Sequence, residues 1–210
     1  MVSLITVGSA TNPKGEPWPH RRPTPYYIVV GLLAAVAVVA WIIVWPKSES
    51  GPSTDCGHPP SGENTPAQWI KASREQLLRV EPSALADVRV RVLNANGADQ
   101  QASRVSSELN GLGFRSTADN DSVYAEHKMS CFAQIRFGPS GQQQAAAVWL
   151  TAPCAELIRD ERDNSTVDLA LGTGFHTLNH NASARSVLQA LRKGDPVDPN
   201  AISALHTPSC

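Results

Sequence analysis

The chain has 210 residues, 41% of them hydrophobic and 18% charged, with a formal net charge of −1 at neutral pH. Beyond Trp45 it carries 15 Lys and Arg against 18 Asp and Glu, which excludes the basic surface of a nucleic-acid binder. That part is long enough for one modest domain with its own core.

Residues 1–25 hold Gly, Pro, Ser and Thr with few apolar side chains, including Pro13, Pro17, Pro19, Pro23 and Pro25. They are expected to form a disordered cytoplasmic tail. From Tyr26 to Trp45 the run YYIVVGLLAAVAVVAWIIVW carries no charge. A helix of roughly 20 residues matches a hydrocarbon core of roughly 30 Å. Tyr26, Tyr27, Trp41 and Trp45 sit near its ends, where amphipathic rings favour the headgroup level. Residues 26–45 therefore read as a transmembrane helix in the lipid bilayer. Lys14, Arg21 and Arg22 precede it, whereas Lys47, Glu49 and Asp55 follow. Basic flanks stay cytoplasmic, which puts the N-terminus inside and the rest outside the plasma membrane. The run ends Ile43-Val44-Trp45-Pro46-Lys47, unlike the small-residue site of a cleaved signal peptide. A single uncleaved span is expected.

Residues 46–64 are rich in Pro, Gly and Ser and read as an extracytoplasmic linker, pinned to the domain at Cys56. Thr65-Pro66-Ala67-Gln68 is a capping box with Pro at the first helical position. Trp69, Ile70, Ser73, Leu77 and Val80 then recur at helical spacing up to Pro82. Val88, Val90 and Val92 alternate with Arg89 and Arg91, the pattern of a strand with one buried face. After the turn at Asn94–Gly97, Ala98, Ala102, Val105, Leu109 and Leu112 mark an amphipathic helix closed by Gly113. Phe114–Ala118 reads as a short strand and Asp119–Ser122 as a polar turn.

Cys131–Phe137 alternates again, with Ala133, Ile135 and Phe137 on one face. Ser140 and Gln143 suggest a second capping box, before a helix that buries Ala146, Val148, Trp149 and Leu150. Ala155–Arg159 and Val167–Leu171 are further strands, joined by a charged hairpin turn at Asp160–Ser165. A last helix, capped near Asn181, carries Ala184, Val187, Leu188 and Leu191 and stops at Gly194, and 195–210 read as a loop-like tail. The fold class is α/β: one transmembrane helix, then at 65–194 a small extracytoplasmic mixed-sheet domain covered by helices.

All four cysteines, Cys56, Cys131, Cys154 and Cys210, lie on the outer side, and their even number predicts two disulfides in one of about three connectivities. If the strands at Cys131 and near Cys154 are parallel neighbours joined by the intervening helix, their first residues share one end of the sheet. That favours Cys131–Cys154 and leaves Cys56–Cys210 to clamp linker to tail.

Val90-Arg91-Val92-Leu93-Asn94-Ala95-Asn96-Gly97, then Gln101-Ala102-Ser103-Arg104-Val105, Leu109-Asn110-Gly111-Leu112-Gly113-Phe114 and Val167-Asp168-Leu169-Ala170-Leu171-Gly172, stand in a characteristic order. Over roughly 87–172 they resemble the LytR C-terminal domain family: a V-x-V-L-N strand and turn, a helix, then L-x-x-x-G-F. One span, four cysteines and this domain alone resemble its mycobacterial-type envelope-integrity members. The resemblance implies a non-enzymatic accessory protein of the cell envelope. Its partners would be wall polymer (peptidoglycan or arabinogalactan) or a LytR-CpsA-Psr phosphotransferase.

The residues themselves yield no catalytic set, no metal site and no cofactor loop. His176 and His180 are four apart, but Thr177 stands where a zincin needs Glu, and no third ligand is in reach. Asp160, Glu161, Asp163 and Asp168 are interleaved with Arg159 and Arg162 and lack the spacing of a calcium loop. Two readings attach to Asn94, Asn96 and Gly97: a structural strand-to-helix turn, or a binding turn whose following helix offers N–H groups to a carboxylate, phosphate or sugar. A small extracytoplasmic hydrolase or transferase acting on the wall is the contrasting function, resting on His176, His180 and the acidic turn alone.

Overall fold

The computed structural model describes residues 24–44, 55–57, 69–125 and 128–206, in a chain that divides into two units, 1–49 and 50–210. In the first unit helix α1 (Thr24–Val44) runs for 21 residues and takes in all of the expected span but Trp45. Its side chains are described over 27–38, where all are exposed; that stretch is about 18 Å of helix. Among the described residues no helix is long and apolar enough to cross a membrane, so the span rests on the sequence. The tail, most of the linker and the Thr65–Gln68 capping box lie outside the described residues.

In the second unit six strands form one mixed sheet, in the order β1 (Ile70–Lys71), β5 (Glu156–Arg159), β4 (Ala133–Phe137), β6 (Val167–Leu171), β2 (Arg89–Asn94) and β3 (Arg115–Asn120). The parallel pairs β2–β3 and β4–β5 are each bridged by a helix, α3 (Gln101–Leu112) and α4 (Gln142–Trp149), as parallel neighbours require. β6 lies parallel to β2 and antiparallel to β4, and β1 runs antiparallel to β5 at the edge. The remaining helices are α2 (Arg74–Leu77), α5 (Ala182–Lys193) and α6 (Pro199–Leu205).

Strand alternation sends Val90, Val92, Ile135, Leu157, Leu169 and Leu171 to one side, where they meet the apolar stripes of the helices in the main core. α4 is apolar throughout Ala145–Trp149 and is buried there on every side. Trp149 donates its Nε1–H to the Pro153 carbonyl at 3.1 Å and stacks against His206 at 3.8 Å. Burial holds the His206 imidazole below its ordinary value. Gly113 and Gly194 close α3 and α5 in the left-handed conformation, at φ 115° and 77°, where a side chain would be strained. Asn181 caps α5 by accepting the Ala184 N–H at 2.6 Å.

Several expectations are corrected. Ile70 and Lys71 are a strand and not the middle of a helix, because they pair with Arg159 and Ile158 at the sheet edge. The helix starts only at Arg74, capped by Ser73. Ser140 sits within a 3-10 turn, Pro139–Gly141, and gives α4 no side-chain cap. The tail contains α6, whose signals were Asp198 as cap, Pro199 at the first position, and Ile202 and Leu205 on one face. The 160–166 connection is no hairpin, since β5 and β6 flank β4; it passes so close to Gly138 that a Cβ there would strike the Arg162 carbonyl.

The disulfide pairing differs as well. Cys131 is bonded to Cys56, with Cα atoms 4.8 Å apart, which overturns both Cys131–Cys154 and Cys56–Cys210. β4 and β5 are parallel neighbours as assumed, but β4 begins only at Ala133. A bend at Cys131–Phe132 interrupts the alternation: Phe132 packs on the main core, while Cys131 joins Tyr124 and Met129 on the opposite side of the sheet. Cys154 is itself disulfide-bonded; Cys210 lies outside the described residues.

Candidate functional site

The other face of the sheet carries no helix among the described residues, and its chemistry is polar. Register places Arg91, Asp168 and Arg136 directly opposite one another on β2, β6 and β4. In the row beyond them stand Leu93, Ala170, Gln134 and Glu156. Cross-strand neighbours of opposite charge attract, and here they are taken out of water: Arg136 is 3%, Asp168 2%, Gln134 1% and the loop residue Asp121 1% exposed.

Each buried charge has a partner. Arg136 donates from Nη1 to Asp121 Oδ2 at 2.6 Å and from Nε to Gln134 Oε1 at 3.1 Å. Its guanidinium carbon lies 4.3 Å from the Trp69 ring centroid, a contact worth about 0.5–2 kcal/mol. Among the described residues the Nη2 group of Arg136 is buried without an acceptor. Burial draws this guanidinium below its ordinary value, yet arginine stays charged in proteins. Asp121 also accepts the N–H groups of Val123 and Tyr124 at 2.8 and 3.0 Å, and so shapes the loop that covers this part of the sheet.

Asp168 holds Arg91 in a two-pronged contact at 2.9 and 2.9 Å and takes Arg162 at 2.8 Å. Burial alone would raise its carboxyl, but the two guanidinium groups outweigh that and hold it below the ordinary carboxylate range. Arg162 also binds Asp160. Glu156 receives the Gln134 amide at 2.8 Å and Lys71 at 2.9 Å, and Lys71 reaches Asp55 at 2.9 Å beside the bonded Cys56.

Between the Ser122–Val123 loop and the 160–166 connection this face opens into a groove of about 530 Å³, within the ordinary range for a small-molecule site. Trp69, Arg91, Val123, Arg136, Asn164 and Asp168 line it. Three arginines face Asp160, Glu161 and Asp168 there, so the groove is close to charge-balanced. Of the acidic residues singled out in the sequence, Asp160 and Asp168 are thus held by arginines. A carboxylate held ionised by two guanidinium groups is a fixed hydrogen-bond acceptor and a poor proton donor.

The Asn94–Gly97 turn lies apart from this groove. Asn94 accepts the Gly97 N–H at 3.0 Å, and Asn96, 7% exposed, bonds to the Gly172 carbonyl at 2.9 Å and to Gln101. Gly97 takes φ 73°. These side chains close the turn on themselves and tie it to the end of β6. His176 and His180 stand in an exposed loop, His180 against Glu108 at 3.0 Å.

The groove residues were missed in the sequence. The signal was present: A-Q-I-R-F and V-D-L-A-L each set a charge inside an apolar strand. Alternation alone assigns such charges to water, and only the pairing register shows them opposite one another.

Comparison with known proteins bears on these features. Residues 87–175 match the model of the LytR_C family, described as LytR cell envelope-related transcriptional attenuator. The whole chain is 41% identical over 216 residues to the cell envelope integrity protein Cei of Mycobacterium tuberculosis, covering 100% of both. The crystal structure of the soluble domain of a conserved hypothetical secreted protein from Mycobacterium marinum is similar at a TM-score of 0.65 and 49% identity, over 67% of this chain and 97% of that one. With a matched domain, full-length similarity and a shared fold, the chain belongs to the family of the cell envelope integrity protein Cei.

Proposed function

We propose that the chain is a membrane-anchored, non-enzymatic module of the cell envelope, whose outer domain binds an envelope component and supports envelope integrity. The envelope role is supported by the family, and the outer location by the likeness to a domain described as secreted. One observation supports the binding reading over catalysis: Asp160 and Asp168 in the polar groove are held as ion-pair partners of Arg162 and Arg91, which makes them poor proton carriers. The uncharged run at 26–45 supplies the anchor.

Wall polymer, or a phosphotransferase acting on it, is the partner class proposed for the outer domain.

The test is complementation of a strain lacking the protein. Full-length chain restores resistance to envelope stress, and residues 50–210 exported without residues 1–49 do not, although the secreted domain accumulates folded. Full restoration by the secreted domain would overturn the anchored reading.

A further inference from the structure

We infer that the groove on the helix-free face is a saccharide site that takes an uncharged sugar unit of a glycan. This deepens the binding role proposed above and rests on it. Three features select the ligand class. The groove is close to charge-balanced, with Arg91, Arg136 and Arg162 against Asp160, Glu161 and Asp168, so a polyanion gains as much repulsion as attraction. Its polar groups are planar and already fixed: Arg91 and Asp168 hold each other at 2.9 Å through two bonds, which leaves little ordering to be lost on binding. The groove also offers both signs of hydrogen bond. The Arg91 side chain is 48% exposed and keeps N–H groups beyond the two that bind Asp168, and the exposed Glu161 carboxylate is an acceptor in the same lining.

A sugar hydroxyl donates and accepts at once, which neither a carboxylate nor an alkyl chain does. Trp69 and Val123 supply the apolar wall against which the C–H face of a pyranose or furanose ring rests. Trp69 stacks on Arg136 and precedes the edge strand β1.

The experiment is calorimetric titration of the full-length chain in a detergent without a sugar headgroup. The probes are neutral tetrasaccharides of N-acetylglucosamine, galactose and arabinose, with a galacturonate tetrasaccharide as the anionic control. At least one neutral probe is expected to bind, and Trp69→Ala and Arg91→Lys each to weaken it by about tenfold or more. Asn164→Ala, at the exposed rim, gives a smaller loss and covers the case in which a variant at Trp69 fails to fold. Equal or tighter binding of the galacturonate probe, binding that survives both Trp69→Ala and Arg91→Lys, or no binding of any neutral probe would each overturn the assignment. The titration does not depend on the membrane tether, so its failure removes the saccharide and leaves the anchored module standing. Complementation by the secreted domain would remove the module and leave the saccharide.

Discussion

Replacing Cys56 and Cys131 together by serine is expected to lower the stability of the 50–210 unit by about 4 kcal/mol. The bridged residues are 75 apart in sequence, and closing a loop of that size removes a large share of the denatured chain's freedom. The native state loses contacts as well. The bridge holds residues 55–57 against the sheet edge, where the Cys56 N–H meets Glu156 at 3.4 Å and Asp55 meets Lys71 at 2.9 Å. The Cys56 bond to Glu156 and the Asp55–Lys71 ion pair are then free to break. Urea titration of wild type and the double serine variant reads the effect as a lower midpoint. A change under about 1 kcal/mol would show that the bridge closes a loop already ordered in the unfolded chain. Peptide mapping of the non-reduced protein should recover Cys56 joined to Cys131.

Asp121→Ala is expected to be as damaging, at about 3–5 kcal/mol, because it leaves the Arg136 charge buried and uncompensated. Arg136 keeps the Gln134 carbonyl and the Trp69 ring, but neither carries a negative charge. The same change releases the N–H groups of Val123 and Tyr124 and loosens the loop over the sheet. The cause can be separated by a double-mutant cycle. If the stranded charge dominates, Asp121→Ala combined with Arg136→Met is more stable than Asp121→Ala alone, since an apolar side chain of similar length needs no partner. If the loop bonds dominate, the second substitution recovers nothing. A single variant as stable as wild type would contradict the burial of the pair.

Much of this fold is legible in the chain itself. Val167–Leu171 is bounded as its alternation indicates, and α5 runs from its Asn181 cap to Gly194. Both signals are local, since period and capping residues act within a few positions. Most of what escaped was set by contacts distant in sequence. Trp69–Ser73 has helical spacing, yet the edge of β5 captures Ile70 and Lys71 as a strand; tertiary pairing overrode a weak local preference. The disulfide turned on a bend of two residues at Cys131–Phe132 that flips one side chain across the sheet. α6 was missed although Asp198 and Pro199 announce it; the signal was local and was passed over.

The functional face was the least legible part, for a physical reason. A strand pattern divides residues between two faces but does not say which face is solvated. In the sequence Arg91, Arg136 and Asp168 look like three separate surface charges. In the sheet they form one cross-strand row, roofed by the Asp121 loop and by Trp69, which follows a linker more than sixty residues from β4 in sequence. The Asn94–Gly97 turn had the stronger sequence signal, yet its amide groups are used within the turn and on Gly172.

The most direct measurement is site-specific photocrosslinking in intact cells, with the photoreactive group at Asn164 in the groove, at Asn96 in the turn, or at Arg185 on α5. The groove position is expected to capture wall glycan, identified by its sugar composition, and the α5 position is not. Capture from Asn96 or Arg185 with none from Asn164 would contradict the account and move the binding surface to the turn or the helical side of the domain.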